Sequence, residues 1–286
     1  MAEVIGLTMG ALSLASLFST CVECFGYFSA SKEFESHRNI LLVRLDFERN
    51  KLLIWGDTVG VLRENGEGLL KALVRNKDSH QKVKKHLECI IVLLTNAEKL
   101  QEKYGARGSE RTGKEVIPWA LVSKNNLDLF RLTLKRYLLR NPKEAAEYRK
   151  HKMWAKLKWA IHDKQKFQGL INDLKDLVDQ LFLIQFNSKP LVKADQLDTS
   201  MKTDIELIDD TKKLSLVQEA CEDSYRAWSD HAASVIAASE SGTVDRRTFV
   251  EISKDVYEDG PEGSISTSNA GDEVSGAVMP CLIDET

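Results

Sequence analysis

"GLTMGALSLASLFSTCVECFGYF", residues 6–28, carries a single charge, Glu23. A bilayer core takes about 20 apolar residues in a helix, so the stretch is long enough for lipid. It is also patterned for protein. Leu7, Ala11, Leu14, Phe18, Cys21, Phe25 and Phe28 recur at alternating spacings of four and three. That is the seam of a helix packed on a bundle. Ser13, Ser16, Thr20 and Glu23 fall on another face. A carboxylate near mid-span costs roughly 2.5–3.5 kcal/mol, less when off-centre as here. A secretory leader is not expected, because no Lys or Arg precedes Lys32 and a leader opens on a basic region. The pattern predicts a helix over about residues 4–29. Gly6 and Gly10 form a G-x-x-x-G, which Ala11 and Ala15 extend. Such spacing lets helices approach closely, in lipid or in a soluble bundle.

The composition points to an all-α protein. Hydrophobic residues make up 43% of the 286, and no proline occurs before Pro118. Leu, Lys, Glu and Ala are abundant, all good helix formers. The five cysteines (Cys21, Cys24, Cys89, Cys221, Cys281) are odd in number and scattered, and no Asn-x-Ser/Thr acceptor occurs. Both facts predict a reducing, cytoplasmic location. The net charge of −3 is unevenly spread, for residues 242–286 hold ten acidic and three basic residues. No basic face or stripe of the kind that marks nucleic-acid binding stands out, so a nucleic-acid partner is not expected.

Further helices are predicted at about 34–62, 79–104, 122–140, 142–161, 163–184, 194–210 and 213–239, with a turn or two at 69–74. Glu48 interrupts the seam of the second. Ser79 is expected to cap the third, with Gly105 as its stop, and residues 105–118 read as a polar loop. The predicted helical domain is residues 1–240. Residues 241–286, rich in Ser, Gly and acid, read as a disordered acidic tail, with a strand at Thr248–Val256.

Chemical motifs are sparse. Gly108 to Lys114 matches the glycine–lysine frame of a phosphate loop, but Glu115 stands where the hydroxyl should be, and a helix rather than a strand precedes. It reads as an ordinary exposed loop. Cys21-Val-Glu-Cys24 has the C-x-x-C spacing without a second pair to complete a metal site. The six histidines are dispersed. No enzymatic activity, metal or cofactor is expected.

Three stretches then come into view together: residues 5–28, with the G-x-x-x-G-A-L opening and an acid between two cysteines; "VRLDFERNKLLIWGDTVGV", residues 43–61; and "MWAKLKWAIHDKQKFQGLINDLKDLVDQL", residues 153–181. In order and spacing they resemble the fungal HeLo domain of the HET-s/LopB family, over about residues 1–235. The matching motif residues are Arg44, Leu45, Asp46, Trp55, Gly56, Trp159, Asp163 and Phe167. The resemblance implies an all-α, HeLo-type bundle, here of about eight to nine helices, with a small β element and an acidic tail behind it. It implies a role in fungal programmed cell death and heterokaryon incompatibility. In toxic members the N-terminal helix leaves the soluble fold and inserts into membrane to form pores. Here that helix would use Gly6, Gly10, Ala11, Leu14, Phe18, Glu23 and Phe25, with relocation to the plasma membrane. Non-toxic members restrain prion propagation, so a soluble, non-inserting interaction module that regulates a partner's assembly is the alternative. The implied partners are membrane lipid on activation, a second copy in a homo-oligomer, and a HeLo- or amyloid-bearing protein. The tail departs from the family's prion-type members. Phe249 to Ser253 has no second copy with which to stack, so the tail reads as a degenerate amyloid or signalling segment.

Overall fold

In the structure, a computed structural model, the residues described are 13–30, 35–63, 73, 76–109, 120–154, 158–161, 163–186 and 189–241. They all belong to the first of two units, Met1–Val244 and Asp245–Thr286. The expected tail and its strand lie outside the described residues.

The central helix is a polar one. Helix α2, Glu35–Val59, is buried at every residue from Ile40 to Gly56 except Arg44. Asp46, Glu48, Arg49, Asn50 and Lys51 are each 1% exposed or less. The predicted seam is therefore only half of its buried surface. Leu41, Leu45, Leu52, Trp55 and Val59 face the larger hydrophobic cluster. Ile40, Val43, Phe47 and Ile54 belong to a second cluster. Burying a charge is costly unless it is paired and hydrogen-bonded, and each of these charges has partners.

The larger cluster is completed by α1 (Leu14–Cys24), α3 (Lys77–Thr95), α4 (Ala97–Glu102), α5 (Lys124–Arg140), α6 (Pro142–Trp154) and α7 (Lys164–Leu183). The second is built from α8 (Ala194–Glu206), α9 (Thr211–Cys221) and α10 (Arg226–Glu240). The described residues thus hold ten α-helices, against the eight to nine expected. Two predicted helices are each divided. Asn96 ends α3 in an extended conformation while its side chain accepts from Lys99 N at 2.9 Å and so starts α4. Asn competes with the helix ladder in this way. The second break, before Tyr225, sets that ring on Phe47 and Trp228, at 6.0 and 4.4 Å between centroids. Nothing local in the sequence demands it. The cap of α3 is Asn76, not Ser79, whose hydroxyl donates to Gln185 O at 3.0 Å.

Two expected helix ends are strands instead. β1 (Phe28–Ala30) and β3 (Lys158–Ile161) pair in parallel, with Phe28 opposite Trp159. β2 (Ala106–Ser109), expected as loop, runs antiparallel to β3. After α7, β4 (Gln185–Phe186) and β5 (Lys189–Pro190) pair antiparallel.

The buried charges of α2 bind most of the surrounding helices. Asp46 Oδ2 accepts backbone N–H groups of Leu121, Val122 and Ser123 at 2.9, 2.9 and 3.1 Å, which pins the segment leading into α5. Its Oδ1 accepts from Arg49 at 2.6 Å and from the Ser123 hydroxyl. Lys51 bridges Glu48, at 2.9 Å, to Asp179 of α7, and the Tyr225 hydroxyl donates to Glu48 at 2.5 Å. Burial pushes the Glu48 carboxyl up, opposed by the Lys51 charge and the Tyr225 hydrogen bond. Asn50 and Asn126 of α5 both donate to Asp204 Oδ2 of α8 at 2.8 Å. Arg44 donates to Ala220 O, Gln168 and Asp223 at 3.0, 2.9 and 2.7 Å.

Replacing Asp46 with Ala takes the carboxylate from the buried Arg49 guanidinium and frees the segment leading into α5. A loss of about 3–5 kcal/mol is expected in urea denaturation. Asp204 gives a pH signature. Burial pushes its carboxyl up to about 7, the two amide donors pull against it, and Asp46 adds to the rise. An unfolded Asp titrates near 3.9, so the folded chain holds this proton more tightly. Its contribution is complete below about pH 4 and is lost as pH rises through about 7. Asp204→Asn should therefore be more stable than the native chain at about pH 8, an advantage that shrinks on acidification. Thermal melts across that window measure it.

Candidate functional site

The expected functional segment is described from Ser13 onward; Gly6, Gly10 and Ala11 lie outside the described residues. Ser13 starts α1 by accepting from Ser16 N at 3.2 Å, a polar cap ahead of an apolar run. The helix lasts to Cys24 and passes through a 3-10 turn, Phe25–Tyr27, into β1. The single helix to residue 29 is thus cut short, because β3 recruits Phe28 to the sheet.

α1 is covered on more than its seam. Leu14, Phe18, Cys21 and Phe25 are buried as the spacing predicts, but so are Ser16 and Ser19, at 5% and 1% exposure. Neither serine hydroxyl has a hydrogen-bond partner. A buried hydroxyl left unpaired costs about 1–3 kcal/mol. α3 and α2 pack on the apolar side, and α6 lies against the helix as well. Two side-chain bonds tie α1 to α6: the Ser13 hydroxyl donates to Glu144 at 2.6 Å, and the Tyr148 hydroxyl donates to Glu23. Burial and the Glu23 charge raise the Tyr148 phenol well above its ordinary range.

The seat on α2 is a close fit. Phe18 lies edge-on to Phe130 of α5 at 5.8 Å between centroids and tilted on Trp55 at 6.3 Å. Its ring rests directly on Gly56, where an added Cβ would come 2.1 Å from Phe18 Cζ. Gly60, at φ +78°, closes α2: its N–H bonds Asp57 O at 3.0 Å, and Val61 N bonds Gly56 O at 2.9 Å. This is a Schellman ending that requires a residue able to adopt positive φ.

The motif residues divide by role. Leu45, Trp55, Trp159 and Phe167 join Leu14, Phe18 and Phe25 in one cluster. Arg44 and Asp46 bind elsewhere, on α9 and the start of α5. Asp163 caps α7 by accepting from Lys166 N at 2.9 Å. Sequence reading did not single out Ser13 as a cap, nor Glu144, Tyr148 and Phe130 as holders of α1. The cap had a local signal. The others lie more than a hundred residues away and had none. Cys21 and Cys24 are buried free thiols, and Cys21 donates to Leu87 O at 3.2 Å. Burial raises both thiols far above their usual range. Of the phosphate-loop frame, Gly108 and Ser109 belong to β2. No described helix is long and apolar enough to cross a membrane.

Comparison with known proteins places relatives beside this geometry. The HeLo family, described as prion-inhibition and propagation, matches over residues 6–217. Heterokaryon incompatibility protein s of Podospora anserina is 24% identical over 241 residues, covering 83% of this chain and 76% of that protein. Heterokaryon incompatibility protein S of Podospora anserina is 25% identical over 243 residues, with the same coverage. The solved HET-s N-terminal domain shares 21% identity, covering 80% of this chain and 99% of that one, at a TM-score of 0.49.

Gly56→Ala should loosen the α1 seat. With a thiol reagent, Cys21 and Cys24 should label about tenfold faster or more, the factor that about 1.4 kcal/mol of lost seating yields. Exposed Cys89 should label as before and serves as the internal reference.

Proposed function

Because the chain belongs to the HeLo prion-inhibition and propagation family, we propose that it acts in fungal heterokaryon incompatibility and the associated cell death, with α1 as its membrane-active element. The function carries no catalytic step. The protein resides in the cytoplasm, with its cysteines reduced, and moves to the plasma membrane on activation. It works through protein partners, either a second copy or a HeLo- or amyloid-bearing chain.

The observation that carries this reading is the way α1 is held. It is an apolar helix whose Ser16 and Ser19 hydroxyls are buried without partners. Its polar bonds to α6 are Ser13–Glu144 and Glu23–Tyr148. Release into water would expose Leu14, Leu17, Phe18, Val22 and Phe25, at roughly 1.5–3 kcal/mol each. Lipid removes that penalty because it is itself apolar. α1 is therefore retained in water and releasable at a bilayer, a two-state element. The 11 helical residues of α1 span about 16 Å at 1.5 Å each, half of the roughly 30 Å core. Spanning requires about nine further helical residues, drawn from the uncharged residues 6–13 ahead of α1 or from Phe25–Phe28 behind it, where they come at the cost of the β1–β3 pairing. That requirement favours the second reading, a soluble HeLo module that never inserts and regulates a partner's assembly.

Dye leakage from vesicles separates the two. Thr20 is half-buried, so a Lys there can reach solvent in the soluble fold. At mid-span it would cost about 2.5–3.5 kcal/mol. Leakage by the native chain, greater in Gly56→Ala and lost in Thr20→Lys at nearly unchanged melting temperature, is the expected result. Undiminished leakage from Thr20→Lys would sink insertion of α1. Silence from all three proteins would leave the soluble module.

A further inference from the structure

We propose that the outer face of α5 is a docking surface for an anionic lipid membrane. The observation is one of concentration. α5 carries Lys124, Arg131, Lys135, Arg136 and Arg140 against a single acid, Asp128, for a net charge of +4. Residues 1–241 as a whole also sum to +4, so the rest of that segment is neutral and its cationic excess equals that of this helix. Leu129, Leu132 and Leu139 lie on the same helix, at 39%, 48% and 75% exposure. They are three of the five large hydrophobic side chains exposed among the described residues.

Helical geometry joins the two features. Leu132, Lys135, Arg136 and Leu139 fall at spacings of three and four, on one face, and all four are exposed. The opposite face, Leu127, Phe130 and Leu134, is buried. Arg131 binds Asp128 at 3.1 Å. Lys143, just beyond the helix, is exposed too. Leucines flanked by cations on a convex helix face suit a plane of lipid headgroups. The apolar side chains enter the interface and the cations meet phosphate and carboxylate. A protein partner would have to supply a groove shaped to this face; a bilayer does not. Docking also sets α1 beside the membrane, since Phe130 on the buried face of α5 holds Phe18. The inference rests on the membrane reading above only for that sequel.

The test is co-sedimentation of the full chain with vesicles of phosphatidylcholine, alone or mixed with phosphatidylserine, at low and high salt. The native protein should prefer the anionic vesicles by about tenfold or more at low salt and lose the preference at high salt. Lys135→Glu with Arg136→Glu should abolish that preference. The same charge change at exposed Lys212 and Lys213 on α9 should matter little. Leu132→Ser with Leu139→Ser should weaken binding about tenfold. All these sites are exposed, so circular dichroism should be unchanged. Thr20→Lys should bind like the native chain while failing to leak dye, which keeps failure of docking distinct from failure of insertion. Absence of vesicle binding, or equal loss in the α9 variant, overturns the proposal. Retention on immobilised polyglutamate without vesicle binding would assign the face to an acidic protein instead.

Discussion

The buried charges of α2 govern the arrangement of everything around them. Hydrophobic contact is non-directional and would tolerate a helix sliding along its neighbour. A carboxylate that must accept three particular backbone N–H groups does not tolerate it. Asp46 fixes where α5 begins. Lys51 and Glu48 fix the approach of α7 and the position of Tyr225. Asn50 does the same for α8, and Arg44 for α9. Each set removes a desolvation cost that would otherwise oppose folding. A helix polar enough to look like a surface element can therefore lie between two hydrophobic clusters.

α1 inverts that arrangement. Its burial is mostly apolar, and the polar groups it brings inside are partly left without partners. Its close fit on α2 is the Phe18 ring on Gly56. Apolar contacts depend on solvent rather than on a particular partner atom, so lipid can substitute for them in a way it could not for the Asp46 hydrogen bonds. The chain thus has a directional, specific framework and one helix held largely by the aversion of its side chains to water. The membrane role proposed for α1 calls for that division.

The all-helical class and most helix spans were legible in the sequence because apolar spacing reports burial of one face. Burial of the second face of α2 was not legible. Asp46 to Lys51 has the composition of a solvated stripe, and the partners that reverse that reading are Ser123, Asp179, Asp204 and Tyr225, all distant in sequence. The same limit hid the cover on α1, since Ser13, Ser16, Thr20 and Glu23 lie on one side of a helix whether water or α6 faces them. The resemblance implied a small β element, but the positions of its strands were not legible, for a related reason. Segments of three or four residues such as Phe28–Ala30 carry no periodicity of their own, and their conformation is set by the neighbour they pair with. Family likeness located Trp55–Gly56 without explaining it; the explanation is the ring of Phe18.

α5 connects the framework to α1. Its start is held by Asp46, its inner face holds Phe18, and its outer face carries the cations and exposed leucines. A membrane bound equally well by the seated and released forms would shift nothing between them. Under the proposed docking the difference would arise because the Phe18–Phe130 contact holds α1 close to the helix that meets the membrane. The proposed insertion would then be an intramolecular step at high effective concentration. In free solution the same departure exposes Phe18 and its neighbours to water with nothing to receive them. On that proposal docking would not have to deform the bundle at all; it would only have to place an apolar destination for α1 within reach.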